Sequence, residues 1–271
     1  MSKIILITGS TDGIGKLVAI RLAKDGHRIY LHGRHSEKLD TVIAEIKKVS
    51  GNNNIDGFVA DFSDLQAVDN MANVIKKQLS KIDILINNAG IFKSPIDKTK
   101  DGLDIRFAVN YFAPYILTNA LLTLLKTNTA SRIINLSSAA QSTVRIGALN
   151  GEASVNVSEA YAQSKLALTM WSFDLAKQLE AVSVIAVNPG SLLNTRMANE
   201  AYGQHWSPAT KGSDILYDLA ISDEYNGITG KYFDNDKGDP KGLFSPAHLD
   251  AYDEELIKQL LKHTEEVLNK N

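Results

Sequence analysis

The chain of 271 residues contains no cysteine. Disulfides, zinc–thiolate clusters and thiol nucleophiles are therefore excluded. Histidine is scarce as well: six residues are scattered along the chain and none stands at metal-ligand spacing, so no metal site is expected. An excess of either charge is missing too. Lys and Arg number 29 against 31 Asp and Glu, and no basic cluster breaks the balance, so nothing favours a nucleic-acid partner. No apolar run approaches the roughly 18 residues of a membrane span. The first strand pattern begins at about Lys3, which leaves no room for a signal peptide. The expectation is a cytoplasmic protein with no membrane partner. No Pro/Ser-rich linker and no internal repeat divides the chain, so a single domain over residues 1–271 is expected.

What is present begins with Ile4-Ile5-Leu6-Ile7, a short unbroken apolar run of the kind that a strand buried on both faces shows. Thr8-Gly9-Ser10-Thr11-Asp12-Gly13-Ile14-Gly15 follows, and then Ile14, Leu17, Val18 and Leu22 recur at helical spacing. A strand feeds a glycine-rich turn, and the turn feeds a helix. The first helical turn has N–H groups without intrahelical partners and carries the positive end of the helix dipole, so a phosphate is stabilised there. Glycines let the backbone turn tightly and let a pyrophosphate approach closely. Gly9 to Gly15 is accordingly a candidate dinucleotide-binding turn.

Strand and helix patterns then alternate. Strands are expected over 28–32, 56–60, 82–87, 131–137, 182–187 and a short 230–233. Helices are expected over 37–49, 65–79, about 102–125, 161–179 and 247–268. This rhythm predicts an α/β Rossmann fold, a doubly wound, mostly parallel sheet of about seven strands with helices on both faces. Two stretches break it, 139–159 and 190–213. Long loops at the carboxyl ends of parallel strands are where such folds bind ligands. The last segment is expected as an amphipathic helix with Leu249, Tyr252, Leu256, Leu260 and Val267 on one face, packed on its own domain or on a second copy.

The end of the second strand reads His32-Gly33-Arg34-His35. NAD-binding folds usually carry an acid there for the ribose 2′-hydroxyl. None stands here, and the guanidinium of Arg34 suits a 2′-phosphate. NADP(H) is expected rather than NAD(H).

Tyr161 and Lys165 are four apart in a helical stretch and share a face. A phenol titrates near 10, too high for a base at neutral pH, and a neighbouring ammonium lowers it. The pair then serves as general acid for carbonyl reduction or base for alcohol oxidation. Ser137-Ser138 ends the fifth strand, Asn87-Asn88-Ala89-Gly90 ends the fourth, and Pro189-Gly190 follows the sixth. Asn110 stands inside a helical stretch, where asparagine is a poor residue.

Together these motifs resemble the classical short-chain dehydrogenase/reductase family over nearly the whole chain. The basic residue after the second strand, the long separation of Ser138 from Tyr161, Asn110-Tyr111-Phe112-Ala113-Pro114 and Lys231-Tyr232-Phe233 resemble its retinol-dehydrogenase-like branch. The resemblance implies an NADP-dependent oxidoreductase acting on a carbonyl or alcohol. It implies Tyr161 as acid/base and Lys165 as the group that tunes it and holds the nicotinamide ribose. Ser138 would polarise the substrate carbonyl, and Asn110 would hold a water of a proton relay. It implies a cofactor site of Gly9, Ser10, Thr11, Asp12, Gly13, Ile14 and Gly15, with Arg34, Asp61 and Phe62, Asn88, Ala89 and Gly90, and Pro189, Gly190 and Thr195. Asp61 would meet the adenine edge. The chain departs from the pattern at Gln141, where a glycine is usual, and at Thr195, one residue later than usual, so either Asn194 or Thr195 meets the carboxamide. The composition of the 191–207 loop, with Leu192, Leu193, Met197, Tyr202 and Trp206, suggests an apolar or aromatic substrate. A homo-oligomer through the helices of Asn110 and Tyr161 is common in the family, and Leu168, Met170, Trp171 and Phe173 could serve that packing or the core. The competing reading is a catalytically idle NADP-binding sensor or scaffold.

Overall fold

The computed structural model describes residues 2–127 and 130–270. Eight strands form one sheet in the order β3-β2-β1-β4-β5-β6-β7-β8. They are β1 (Ile4–Ile7), β2 (Arg28–Gly33), β3 (Ile55–Val59), β4 (Ile84–Asn87), β5 (Ser131–Leu136), β6 (Val182–Asn188), β7 (Lys231–Asp234) and β8 (Leu243–Phe244). All neighbours are parallel except β7 and β8, which are antiparallel. The order reverses between β1 and β4, and it is there that open α/β sheets leave a crevice.

The apolar runs of the central strands are continuous because these strands are buried on both sides. Ile5 and Ile7 pack into one core with Val18, Leu22 and Leu216, while Leu6 between them joins the other with Phe112, Leu117 and Leu166. Helices α1 (Gly13–Lys24), α2 (Ser36–Ser50) and α8 (Ala209–Ile221) cover the first face. Helices α3 (Leu65–Gln78), α4 (Ile105–Leu125), α6 (Val157–Gln178) and α9 (Glu254–Leu268) cover the second. Two shorter helices, α5 (Ile146–Leu149) and α7 (Arg196–Tyr202), lie in the two long connections.

Several sequence expectations are corrected. The 190–213 stretch is not a plain loop. It holds α7, and α8 already begins at Ala209 after Pro208. The C-terminal helix does not start at Ala247. Leu249–Tyr252 is a separate 3₁₀ turn, and Asp253 caps a new helix by accepting from Glu255 N and Leu256 N. Leu249 is therefore 83% exposed, Tyr252 is half exposed with its ring 5.3 Å from that of Phe173, and Ile257, Leu260, Thr264 and Val267 form the buried face of the helix. That face lies on α4 and α6, with Tyr111 Oη 2.7 Å from Thr264 Oγ1 and Tyr115 donating to Glu265. Leu168, Met170, Trp171 and Phe173 are buried within this same chain. Helix α4 is long and apolar enough, by composition, to cross a membrane, contrary to the reading of apolar runs. Here it is mostly buried in the fold.

Candidate active site

A cavity of about 1150 Å³ runs along the carboxyl ends of the strands, across the β1/β4 crevice. Its floor is set by the glycine turn. Gly9 has φ +60, and a Cβ there would stand 2.7 Å from Ala89 Cα. A Cβ on Gly15 would stand 2.4 Å from Asn88 Nδ2. These positions need glycine because the turn lies directly on the end of β4. Asn88 completes the contact, donating from Nδ2 to the carbonyls of Thr8 and Gly9 at 2.8 Å each. Thr8 Oγ1 accepts from the amides of Asn88 and Ala89 at 3.0 Å. The N-terminus of α1 thus faces the cavity, with Gly13, Ile14 and Gly15 in its lining.

Asp12 caps α1 through Gly13 N at 2.8 Å and meets Lys38 Nζ at 3.2 Å. Partial burial opposes ionisation, yet the Gly13 amide and the Lys38 ammonium hold the Asp12 carboxyl below its usual range. Thr11 packs on the end of β2: a Cβ on Gly33 would meet Thr11 Cγ2 at 2.6 Å. Arg34 is exposed at this end of the cavity and makes no ion pair among the described residues. Asp61 lines the same end, its carboxylate accepting from Ser63 N at 2.9 Å and Ser63 Oγ at 2.8 Å, and Phe62 lies beside it.

At the far end stand Ser138, Tyr161 and Lys165. The two serines of the pair differ in surroundings. Ser137 is buried, its Oγ 2.7 Å from Thr169 Oγ1 and donating to Lys165 O at 3.2 Å. Ser138 is partly exposed, and its Oγ accepts from Ala140 N at 3.1 Å. Lys165 Nζ lies 5.6 Å from the centre of the Tyr161 ring and donates to Leu136 O at 2.6 Å. Burial pulls its pKa down to about 7. Phe92 packs on Tyr161 with ring centres 5.0 Å apart.

The expected site residues Asn88, Ala89, Gly90, Pro189, Gly190 and Thr195 also line the cavity. Two others do not. Ser10 is fully buried, its Oγ donating to Ile7 O at 2.8 Å and accepting from His32 N at 2.9 Å, so it shapes the turn from inside. Asn110 lies behind the wall. Its Oδ1 accepts from Ile91 N at 2.8 Å, and its Nδ2 donates to Ile91 O and Ser164 Oγ at 3.0 Å. It sits in a π-helical segment, Ala108–Phe112, that interrupts α4. Pro114 has no N–H, so the Asn110 carbonyl four residues earlier loses its α-helical donor.

The late threonine is accounted for by the backbone. Leu192 takes φ +46, uncommon for a side-chain-bearing residue, and absorbs the extra residue between Pro189-Gly190 and α7. Thr195 then lines the cavity and caps α7 through Ala198 N at 3.3 Å, while Asn194 is exposed. Asp236 holds this loop from the turn after β7, accepting from Ser191 N at 2.9 Å, Ser191 Oγ at 2.6 Å and Asn188 Nδ2 at 2.8 Å. Leu192, Leu193, Met197 and Trp206 line the cavity, and Trp206 is 72% exposed on its lip. The side chain of Tyr202 lies outside the described residues.

Sequence reasoning missed Asp236 altogether and gave no role to two residues it named. Gln141 donates from Nε2 to Ser138 O at 2.9 Å, a carbonyl that also accepts from Tyr232 Oη at 3.0 Å. His32 is a buried imidazole in the cavity lining. Its signal was a polar ring inside a strand otherwise apolar at its centre.

A family profile described as short chain dehydrogenase matches residues 3–205. Among curated proteins, human retinol dehydrogenase 13 is 33% identical, with 95% of this chain and 82% of that protein covered. Mouse retinol dehydrogenase 12 is 32% identical, covering 87% and 78%. Among solved structures, an uncharacterised protein of Mycobacterium paratuberculosis superposes with TM-score 0.77 at 25% identity, covering 98% of this chain and 92% of that one. A short chain dehydrogenase of Shigella flexneri complexed with NADP gives TM-score 0.69 at 27% identity, covering 86% and 97%.

Proposed function

The chain belongs to the short-chain dehydrogenase family, in its retinol-dehydrogenase-like branch, and on that premise we propose that it transfers a hydride between NADP(H) and a carbonyl or alcohol group, with Tyr161 as the acid/base. The observation that carries this reading is one cavity with the glycine turn and Arg34 at one end and Ser138, Tyr161 and Lys165 at the other. Its size and its helix N-terminus suit a dinucleotide. We read residues 1–271 as one cofactor-binding domain with the 190–213 segment as its substrate cover.

When bound, the nicotinamide supplies or accepts the hydride. In the reductive direction negative charge builds on the substrate oxygen. Ser138 and Tyr161 are the hydroxyls able to donate to it, and the Tyr161 phenol delivers the proton. The ammonium form of Lys165 favours the phenolate left behind. Burial lowers the pKa of Lys165 to about 7, which eases loss of its proton and suits a proton carrier. A Cβ on Gly90 would stand 3.3 Å from Asn110 Oδ1 and 3.4 Å from Lys165 Nζ, so these two groups meet at one point behind the site. The Asn110 carbonyl is the acceptor on which a relay water would rest.

Arg34, with no carboxylate beside it at the end of β2, supports NADP over NAD, as does the NADP bound to the Shigella relative. The apolar lip formed by Ile96, Met197 and Trp206 and the names of the curated relatives support an apolar alcohol or aldehyde such as a retinoid. The cofactor reading is tested by titrating NADPH and NADH into wild type and Arg34→Ala. Wild type is expected to prefer NADPH, and the substitution to narrow the gap by about 10- to 100-fold, the worth of a charge-assisted phosphate contact. Equal affinities in wild type would refute the assignment of Arg34 to a 2′-phosphate.

A further inference from the structure

Three strand ends carry the adenosine end of the cavity: the turn after β1, the end of β2, and Ala60 to Phe62 after β3. One side chain touches all three. His32 is 3% exposed. Gly9 N donates to its Nδ1 at 3.0 Å, and its Nε2 lies 2.9 Å from the carbonyl of Ala60. These partners fix the tautomer, because an amide donor faces Nδ1 and a carbonyl faces Nε2, which must carry the hydrogen. The ring lies against Phe62 with centres 4.1 Å apart and planes 22° from parallel. The backbone of His32 adds to the joint: Ser10 N donates to its carbonyl at 3.0 Å, and its own amide donates to Ser10 Oγ at 2.9 Å.

We propose that His32 is a positioning residue for the adenosine half of the cofactor, its imidazole bridging the phosphate-binding turn at Gly9 to the wall that begins at Ala60 and so setting the distance between them. The proposal rests on the dinucleotide reading given above. Parallel strands are joined by backbone ladders only as far as the sheet extends. Beyond it the turn after β1 and the chain after β3 lie with β2 between them, each tied to β2 by a backbone bond, Ser10 N to His32 O at 3.0 Å and Ala60 N to Gly33 O at 3.2 Å, and the imidazole adds the direct link between the two. Removing the ring leaves the Gly9 amide and the Ala60 carbonyl without these partners and takes away the support of Phe62. The bonds and ring contact of its side chain go to Gly9, Ala60 and Phe62, not to Ser138, Tyr161 or Lys165. The loss should therefore fall on recognition of the adenosine half, with chemistry at saturation untouched.

The test uses the intact chain, 2′,5′-ADP and NADPH as titrants, and three variants. His32→Ala removes both bonds. His32→Asn keeps an acceptor for Gly9, and His32→Gln keeps a donor long enough to reach Ala60. With folding checked by thermal melts, His32→Ala is expected to weaken 2′,5′-ADP and NADPH by the same factor, about 10-fold for two buried hydrogen bonds. Asn and Gln are expected to fall between Ala and wild type, and kcat at saturating NADPH to stay within about twofold, which a general loss of structure would not produce. If His32→Ala does not fold, the other two variants decide the matter, since each must bind more weakly than wild type. A folded variant that binds 2′,5′-ADP as wild type does, or one that loses kcat with unchanged affinity, overturns the proposal. A wild type that binds neither titrant overturns the dinucleotide reading along with it, whereas wild-type binding with unaffected variants overturns this inference alone.

Discussion

Acidification should destabilise this fold through His32. Burial lowers its pKa from the ordinary 6.5 to about 4. The sign follows from proton counts. Between these values the unfolded chain binds a proton at this residue and the folded chain does not, so stability is full above 6.5 and is lost as the pH falls. At pH 4.5 the unfolded form is almost fully protonated and the folded form mostly neutral, which corresponds to a loss of about 2–3 kcal/mol relative to neutral pH. The geometry gives the same direction, because a second ring hydrogen would confront the Gly9 amide. For a chain of this length the loss lowers Tm by roughly 5 °C. Calorimetric or circular-dichroism melts of wild type and His32→Asn at pH 7 and 4.5 isolate it. His27, whose pKa is also lowered by partial burial, contributes to both proteins and cancels. The wild-type Tm is expected to drop further than the variant's by that amount. Equal drops would show that the ring is not held neutral between Gly9 and Ala60, and the bridging argument would fail with it.

Two further outcomes follow from the same structure. Lys165→Met should raise the Tm of the cofactor-free protein at neutral pH while abolishing turnover. A buried amine depressed to about 7 opposes folding until the pH approaches its unfolded value of 10.5, and its removal returns about 1–3 kcal/mol after the lost bond to Leu136 is allowed for. Gly15→Ala should abolish dinucleotide binding and cost about 2–3 kcal/mol in melts, because the new methyl meets Asn88 Nδ2 at 2.4 Å and Gly9 O at 2.7 Å and neither is a free side-chain end. Near-native binding by that variant would show that the turn does not lie as closely on β4 as described.

Much of this was legible because parallel strands buried on both faces leave unbroken apolar runs, and because the glycine turn and the Tyr161–Lys165 spacing carry their geometry in the sequence. The misses have physical reasons. Strand β8 is two residues long and carries no periodic signal. Helix α8 begins with Ala-Thr-Lys-Gly-Ser, in which Thr, Gly and Ser are weak helix formers and no apolar period shows, so that only Ile215, Leu216 and Leu219 reveal it. The break before α9 comes from one capping aspartate inside an amphipathic pattern. In the site, the sequence named Ser10 and Asn110 but not which way they face, since short polar side chains bond to nearby backbone as readily as to a ligand. His32 was hidden because a strand buried on both sides has no polar face to mark a functional one. The shift of Thr195 depends on Leu192 taking a left-handed conformation, which no residue type at that position announces.

The most direct measurement follows deuterium from stereospecifically labelled NADPD into the alcohol formed from an apolar aldehyde, in wild type and Tyr161→Phe under single-turnover conditions. Wild type is expected to transfer the label to the carbonyl carbon. The phenylalanine variant should bind NADPH as wild type does, its ring still packed by Phe92, yet transfer about 10²- to 10⁴-fold more slowly, the worth of a positioned general acid. Transfer at an unchanged rate without the Tyr161 hydroxyl, or no transfer by wild type to any of a broad set of aldehydes and ketones despite tight NADPH binding, would contradict the account.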